Sequence, residues 1–246
     1  MTNASSQYDI GRARRTDIVY GLICTAPHCQ RKRTVGNRYC SHHRNVAKYR
    51  GHPLQEKIPI RSINFAKKAV ATLAYEMRDR PEWKSMMEVF QSRFNAARSE
   101  VEANLKQIFN GRAVNKGVRN AYVMLYDIFT RCTVEEALII YAGFQYLERL
   151  QPRLFNSDVS LRHAIVKSIR AKAKSLHGYD FDKRTGKQTR YSSDLFNVQR
   201  ETAFELLNRI YGAVGYRLYN QVEARAEKLR SQKEKLDDAI KQIAAG

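Results

Sequence analysis

No stretch of this 246-residue chain approaches the roughly 18 to 20 consecutive apolar residues that a membrane helix needs. The most apolar run, Ala137 to Leu147, is short and is interrupted by Gln145, so no membrane partner is expected. Met1 to Ile10 is polar and lacks an apolar signal core, which argues against export. Cysteine is scarce: four residues, three of them within seventeen positions, do not make a secreted disulfide framework. The expected compartment is therefore a reducing one, the cytoplasm with its nucleoid, or the nucleus. There is no internal repeat, no low-complexity tract and no Walker-type glycine run around Gly111 and Gly117.

Acidic residues are also few. The 24 Asp and Glu face 44 Lys and Arg, leaving a formal charge of +20 and a pI near 10.0. An excess of that size repels itself unless something negative is nearby, and nucleic acid is the commonest such partner. Residues 1–57 carry eleven basic side chains against three acidic, and residues 158–190 carry nine against three. The chain from 191 onward is nearly balanced, nine against eight. Two basic concentrations on a mixed surface point to two contact surfaces. Hydrophobic residues make up 43%, enough for a sizeable core.

The first basic region holds the most specific pattern. Cys24 and Cys29 are separated by four residues, ten more lead to Cys40, and two more to His43. Two short ligand pairs joined by a longer loop are what a tetrahedral ion requires, each pair clipping one edge. Thiolate and neutral imidazole suit zinc better than the harder cations, so one structural zinc ion (Zn2+) is expected. His43 gives the usual spacing from Cys40, with His42 the alternative; His28 lies between the first two cysteines and is expected to point outward. Pro27 and Gly36 sit where the chain must turn. Few large apolar residues lie nearby, so the segment is expected to need a metal to fold.

Cys24, Pro27-His28-Cys29, Tyr39-Cys40-Ser41-His42-His43-Arg44 and Lys48-Tyr49-Arg50-Gly51-His52-Pro53 together resemble the small zinc modules of phage and mobile-element proteins that often precede HNH-type endonuclease domains. The resemblance covers residues 22–54. It implies that the helix after the metal contacts a nucleic-acid backbone. That family usually has glycine two residues before the third cysteine; this chain has Arg38 there and Gly36 further back, which leaves the ligand set intact and the turn geometry open.

The residues themselves point the same way. Arg44, Lys48 and Arg50 lie on about two helical turns that Gly51 would end, and Arg31, Lys32, Arg33 and Arg38 fill the loop between ligand pairs. Cations on a pinned knuckle suit phosphate, and arginine also reads guanine edges. Arg12, Arg14 and Arg15 form a basic arm upstream.

From Pro59 the periodicity is helical. Ile63, Ala66, Val70, Leu73 and Met77 mark one face, and Pro81 opens a second helix through Trp83, Phe90, Phe94, Val101, Leu105 and Ile108 to Asn110-Gly111. A third spans Val114 to Arg131, with Val118, Tyr122, Leu125, Tyr126 and Phe129 as its apolar side. Thr133-Val134-Glu135-Glu136 reads as a capping box opening a nearly continuous apolar helix, the expected centre of a bundle. Cys132 reads as a core thiol. A fifth helix, from Asp158 to His177, buries Leu161, Ile165, Ile169 and Leu176, and sets Lys167, Arg170 and Lys174 as a positive stripe opposite. A short β-hairpin with Lys183, Arg184, Lys187 and Arg190 about its tip follows. A last helix, with Gly212 and Gly215 as candidate kinks, ends in a charged tail suited to self-association or a protein partner.

The expected fold class is mainly α: a zinc knuckle followed by an all-helical bundle with one short β-hairpin. The division expected is an arm over 1–20, the zinc module over 21–57, a helical domain over 58–222 and a charged helix over 223–246. HNH chemistry needs paired histidines on a hairpin-helix unit, and after residue 52 only His163 and His177 remain. No catalytic constellation is recognisable, so the expected function is non-enzymatic binding of DNA or RNA. The rivals are an accessory subunit of a ribonucleoprotein or larger nucleic-acid machine, and a nuclease or recombinase component with unrecognised catalytic residues.

Overall fold

The computed structural model describes residues 23–175, 178–181, 188–191 and 197–245. The chain is mainly helical, with the Cys/His cluster at the N-terminal end. The helices are α1 (Ser41–Arg50), α2 (Ile60–Met77), α3 (Pro81–Phe109), α4 (Lys116–Arg131), α5 (Val134–Leu150), α6 (Asp158–Lys172) and α7 (Asn197–Ala245). A 3-10 turn, Pro152–Leu154, links α5 to α6. Two four-residue strands, β1 (Gly178–Phe181) and β2 (Gln188–Tyr191), pair antiparallel between α6 and α7. Among the described residues, no helix is long and apolar enough to cross a membrane.

Helix α5 is the central member because it is apolar almost all round. Leu138, Tyr141, Phe144 and Leu147 are among its buried residues, and α2, α3, α6 and α7 all pack on it. Its start is fixed by a reciprocal cap. The Glu136 amide donates to the Thr133 hydroxyl at 3.2 Å, and the Thr133 amide donates to the Glu136 carboxylate at 3.1 Å. Polar groups carried into this core find partners: Tyr141 donates to Asn208 at 2.6 Å, and Tyr211 to the Val134 carbonyl at 3.2 Å. Burial pushes the Tyr141 hydroxyl up to about 12 and the Cys132 thiol up to about 11, so both stay neutral and inert.

Two expectations need correction. On α4 the buried face is Ala121, Met124, Leu125, Ile128 and Phe129, whereas Tyr126 is 41% exposed. Tyr126 follows Leu125 by one residue, a rotation of about 100°, which carries it off the core stripe. Gly212 and Gly215, expected to kink the last helix or to admit a close neighbour, lie inside one uninterrupted helix of 49 residues, and a Cβ built at Gly212 would lie 2.6 Å from Asn208 Oδ1. The helix from Asp158 stops at Lys172 rather than His177, and that shortening alters the basic stripe described below.

The metal module is seated on the bundle by a close backbone contact. At Gly51, φ is +83°, and a Cβ built there would lie 2.7 Å from the Val159 carbonyl oxygen at the start of α6. Next to it Gln55, 3% exposed, acts as a stitch. Its amide nitrogen donates to the Leu154 and Glu56 carbonyls at 2.9 and 3.0 Å, and its oxygen accepts from the Asn156 amide at 3.0 Å. The Arg50 guanidinium donates to the Gln55 carbonyl at 3.0 Å. Replacing Gly51 with alanine therefore combines left-handed strain of about 1–2 kcal/mol with a backbone clash of about 1–3 kcal/mol. Gly51→Ala is expected to lower stability by roughly 2–5 kcal/mol in urea denaturation; an unchanged midpoint would contradict this seating.

Candidate metal centre

The four predicted ligands converge although the module has almost no apolar interior. Cys24 follows an isolated bridge between Ile23 and Lys32, and its amide donates to the Arg31 carbonyl at 2.9 Å. Pro27 and His28 then turn the chain, closed by the Cys29 amide donating to the Ala26 carbonyl at 3.1 Å. Proline holds the first corner at negative φ, and His28 takes the second at φ 58°. The other turn closes between Asn37 and Thr34 with Gly36 at φ 70°, so the left-handed corner sits at Gly36 and Arg38 does not need it. Thr25 holds the two loops together: its amide and its hydroxyl both donate to the Arg38 carbonyl, at 3.0 and 3.2 Å.

Cys40 caps α1, and His43 follows in its first turn. The side-chain donor atoms of Cys24, Cys29, Cys40 and His43 all lie within 4.8 Å of one another. Cys24 Sγ and Cys40 Sγ lie 3.4 and 3.5 Å from His43 Nδ1, and Cys29 Sγ lies 3.9 Å from Cys40 Sγ. A disulfide needs sulfurs about 2.05 Å apart, so these thiols are free. A tetrahedral ion with metal–ligand bonds of about 2.0–2.3 Å would separate its ligand atoms by about 3.5–3.8 Å. The cluster therefore fits one four-coordinate metal ion held by all four side chains. His42 is exposed and stands outside the set, its ring edge-on to His43 at 5.1 Å. His28 is likewise exposed.

The electrostatics prepare the donors. Burial alone would raise the Cys40 thiol, but the backbone amides of His43 and His42 at the start of α1, with neighbouring thiols, bring it below its ordinary value. Cys29 is raised by burial, and His43 is lowered by burial and by the nearby His42 and Arg31 charges. A lowered His43 is neutral at pH 7, as a ligand must be. Among the described residues, Ala26, Tyr39 and Leu54 are the other hydrophobic residues packed into this cluster, so the donor atoms themselves make up most of the module's described interior.

Around this centre the predicted cations divide. Arg31, Lys32, Arg33, Arg38 and Arg44 are exposed on the module. Lys48 is half-buried, with its ammonium 5.1 Å from the Tyr49 ring, and Arg50 is half-buried and turned to Gln55. Residues 18–55 contain no Asp or Glu, so the module has no carboxylate of its own to neutralise them.

The second predicted surface is not the stripe expected. Lys167 is exposed, but Arg170 is only 6% exposed, and Lys174 lies beyond the end of α6 at φ 48°. Three-and-four spacing alone misplaced Arg170, because α6 is packed on more than one side. Arg190 lies on β2 opposite Tyr179. Arg12, Arg14, Arg15, Lys183, Arg184 and Lys187 lie outside the described residues. Sequence reasoning missed Thr25, Gln55, His163 and Arg200. The pattern carried no signal for the first two, whereas a histidine at the centre of an apolar helix was visible.

Metal analysis should separate the two candidate histidines. His43→Ala is expected to lose the metal and the module's fold together, whereas His42→Ala should retain one equivalent. Equal metal content in both variants would contradict the ligand set. His28→Gly should relieve about 1 kcal/mol of left-handed strain and raise the module's stability.

No family model, curated protein or solved structure matches the chain, so the geometry of the site stands on its own.

Proposed function

We propose that this chain is a nucleic-acid-binding protein in which a structural zinc ion holds a rigid cationic module against a helical body. The observation that carries the reading is the acid-free module, with Arg31, Lys32, Arg33, Arg38 and Arg44 exposed about one Cys3His centre. Three thiolates and one imidazole in tetrahedral spacing favour zinc over the oxygen-seeking cations, and a set filled entirely by protein leaves no open position for substrate. The zinc therefore supplies folding energy rather than reactivity, and the arginines make positioning contacts to phosphate. The resemblance of residues 22–54 to zinc modules of phage and mobile-element proteins supports the same reading.

One observation favours a ribonucleoprotein role as the second reading. The outward side of α2 carries Arg61, Phe65, Lys68 and Tyr75 at spacings of four, three and seven. Phe65 is 61% and Tyr75 73% exposed, and the Arg78 guanidinium lies 5.9 Å from the Tyr75 ring. Exposed aromatic rings among cations suit unpaired bases, which stack at about 1–3 kcal/mol each.

Salt dependence tests both. For duplex DNA the logarithm of affinity should fall with the logarithm of salt by about 0.9 per phosphate neutralised. Arg44→Ala should weaken binding on every sequence and reduce that slope by about one, without loss of zinc. Affinity indifferent to salt would overturn the proposal. Phe65→Ala with Tyr75→Ala should weaken single-strand binding and leave duplex binding unchanged if the second reading holds.

A further inference from the structure

The loop between the two ligand pairs ends in a tip that is apolar and braced. Val35 is 100% exposed, more than any other large hydrophobic side chain among the described residues; Tyr75 and Phe109 follow at 73%. It holds the first corner of a turn whose second corner is Gly36 at φ 70°, closed by the Asn37 amide donating to the Thr34 carbonyl at 3.0 Å. Proline suits such a first corner, and the turn has no need of a branched aliphatic side chain there. Apart from its chain neighbours, nothing described lies within 4 Å of a Cβ built at Gly36, so the tip stands clear of the rest of the described chain. Val35 therefore takes no part in packing the module.

Below the tip the loop is held firmly. The Thr34 amide donates to the Tyr39 carbonyl at 3.1 Å, and the Tyr39 amide donates to the Asn37 side-chain oxygen at 3.0 Å. One limb is tied at the Arg31 carbonyl, which accepts from Cys24, and the other at the Arg38 carbonyl, which accepts from Thr25. Cys40, two residues beyond Arg38, belongs to the metal cluster. Arg33 and Arg38 are exposed on opposite limbs, with Lys32 beside Arg33. An aliphatic side chain is thus presented in a preorganised loop between two guanidinium groups, whose forks match phosphate.

A polyanion that engages these arginines brings its own surface against Val35. Phosphate and sugar oxygens gain nothing from an aliphatic contact, whereas the thymine C5-methyl group, displayed in the major groove, does. The major groove of duplex DNA, about 12 Å wide, admits a two-stranded ribbon, and a loop of two limbs is of that kind. The corresponding groove of an RNA helix is too narrow for side chains to read. Unpaired bases stack on aromatic rings and guanidinium planes, for which a branched valine is no substitute.

We propose that Val35 is a base-contacting residue: the loop enters the major groove of duplex DNA, Arg33 and Arg38 bind phosphates on either side, and Val35 packs on thymine methyl groups. The assignment rests on the nucleic-acid reading above and narrows it to duplex DNA with a preference for thymine.

The test uses the full chain with its metal, as wild type and as Val35→Ala, over a series of salt concentrations. The probes are a short alternating A·T duplex, the same duplex with deoxyuridine for every thymine, and the RNA duplex of that sequence. Deoxyuridine removes only the methyl group. The wild type should bind the thymine duplex about fivefold more tightly than the deoxyuridine duplex, the effect of about one buried methyl group. Val35→Ala should weaken binding to the thymine duplex by a similar factor and leave the deoxyuridine and RNA duplexes unchanged. Its salt slope and metal content should match the wild type, because no charge and no ligand is removed. Val35→Ile, which keeps an aliphatic tip, should retain the thymine preference. If the wild type binds both DNA duplexes equally, or Val35→Ala weakens both alike, the methyl contact is overturned and the nucleic-acid reading survives. Binding to RNA or single strands without binding to the duplex would also overturn the assignment. If no nucleic acid binds at any salt concentration, the nucleic-acid reading falls and the assignment falls with it.

Discussion

Three thiols and an imidazole, all within 4.8 Å of one another, stand where a hydrophobic core would otherwise be in residues 23–55. Ala26, Tyr39 and Leu54 add little apolar area, so no burial of that size could repay the order imposed on the loops. The donor cluster is the constraint on which the rest depends. It closes the turn at Pro27-His28, anchors Cys40 as the cap of α1, and so fixes the direction in which that helix leaves. The direction matters because Gly51, at the far end of α1, must meet the Val159 carbonyl with no room for a side chain.

Electrostatics and packing then work on each other. A segment with no carboxylate repels itself, and its clustered thiols are the anionic groups it can supply. At the junction of module and bundle the charges of Arg200, Lys167 and Arg170 act on His163, that of Arg50 acts on Lys167, and Glu201 pairs with both Arg200 and Arg162. By contrast, the pairs farther out, such as Arg78 with Glu135 and Arg98 with Glu102, are exposed and contribute little to stability. The cations exposed on the acid-free module are the surface for which a polyanionic partner is proposed.

Much of this was legible in the sequence, for identifiable reasons. Cys24, Cys29, Cys40 and His43 could be picked out because ligand spacing is a local property, and the cap at Thr133 because it needs only three residues. The near-continuous apolar run of α5 marked the centre of the bundle, since no helix of that kind can stay on a surface. What could not be read depended on partners distant in sequence. Arg170 looked solvent-facing because spacing reports one helix and not the elements packed around it. Gln55 gave no sign that it would bond Leu154 and Asn156, about a hundred residues away. Gly36 takes the left-handed corner of its loop, two residues before Arg38.

The Cys/His cluster is proposed to hold in place the cationic surface of Arg31, Lys32, Arg33, Arg38 and Arg44, through which nucleic acid would be engaged. The most direct measurement is a chelator titration of the full chain, following amide resonances and oligonucleotide affinity in the same samples. The account requires the resonances of residues 23–55 to collapse as one equivalent of metal leaves, with binding lost in step and the signals of α3 to α5 unmoved. Undiminished binding by the metal-free chain would contradict it.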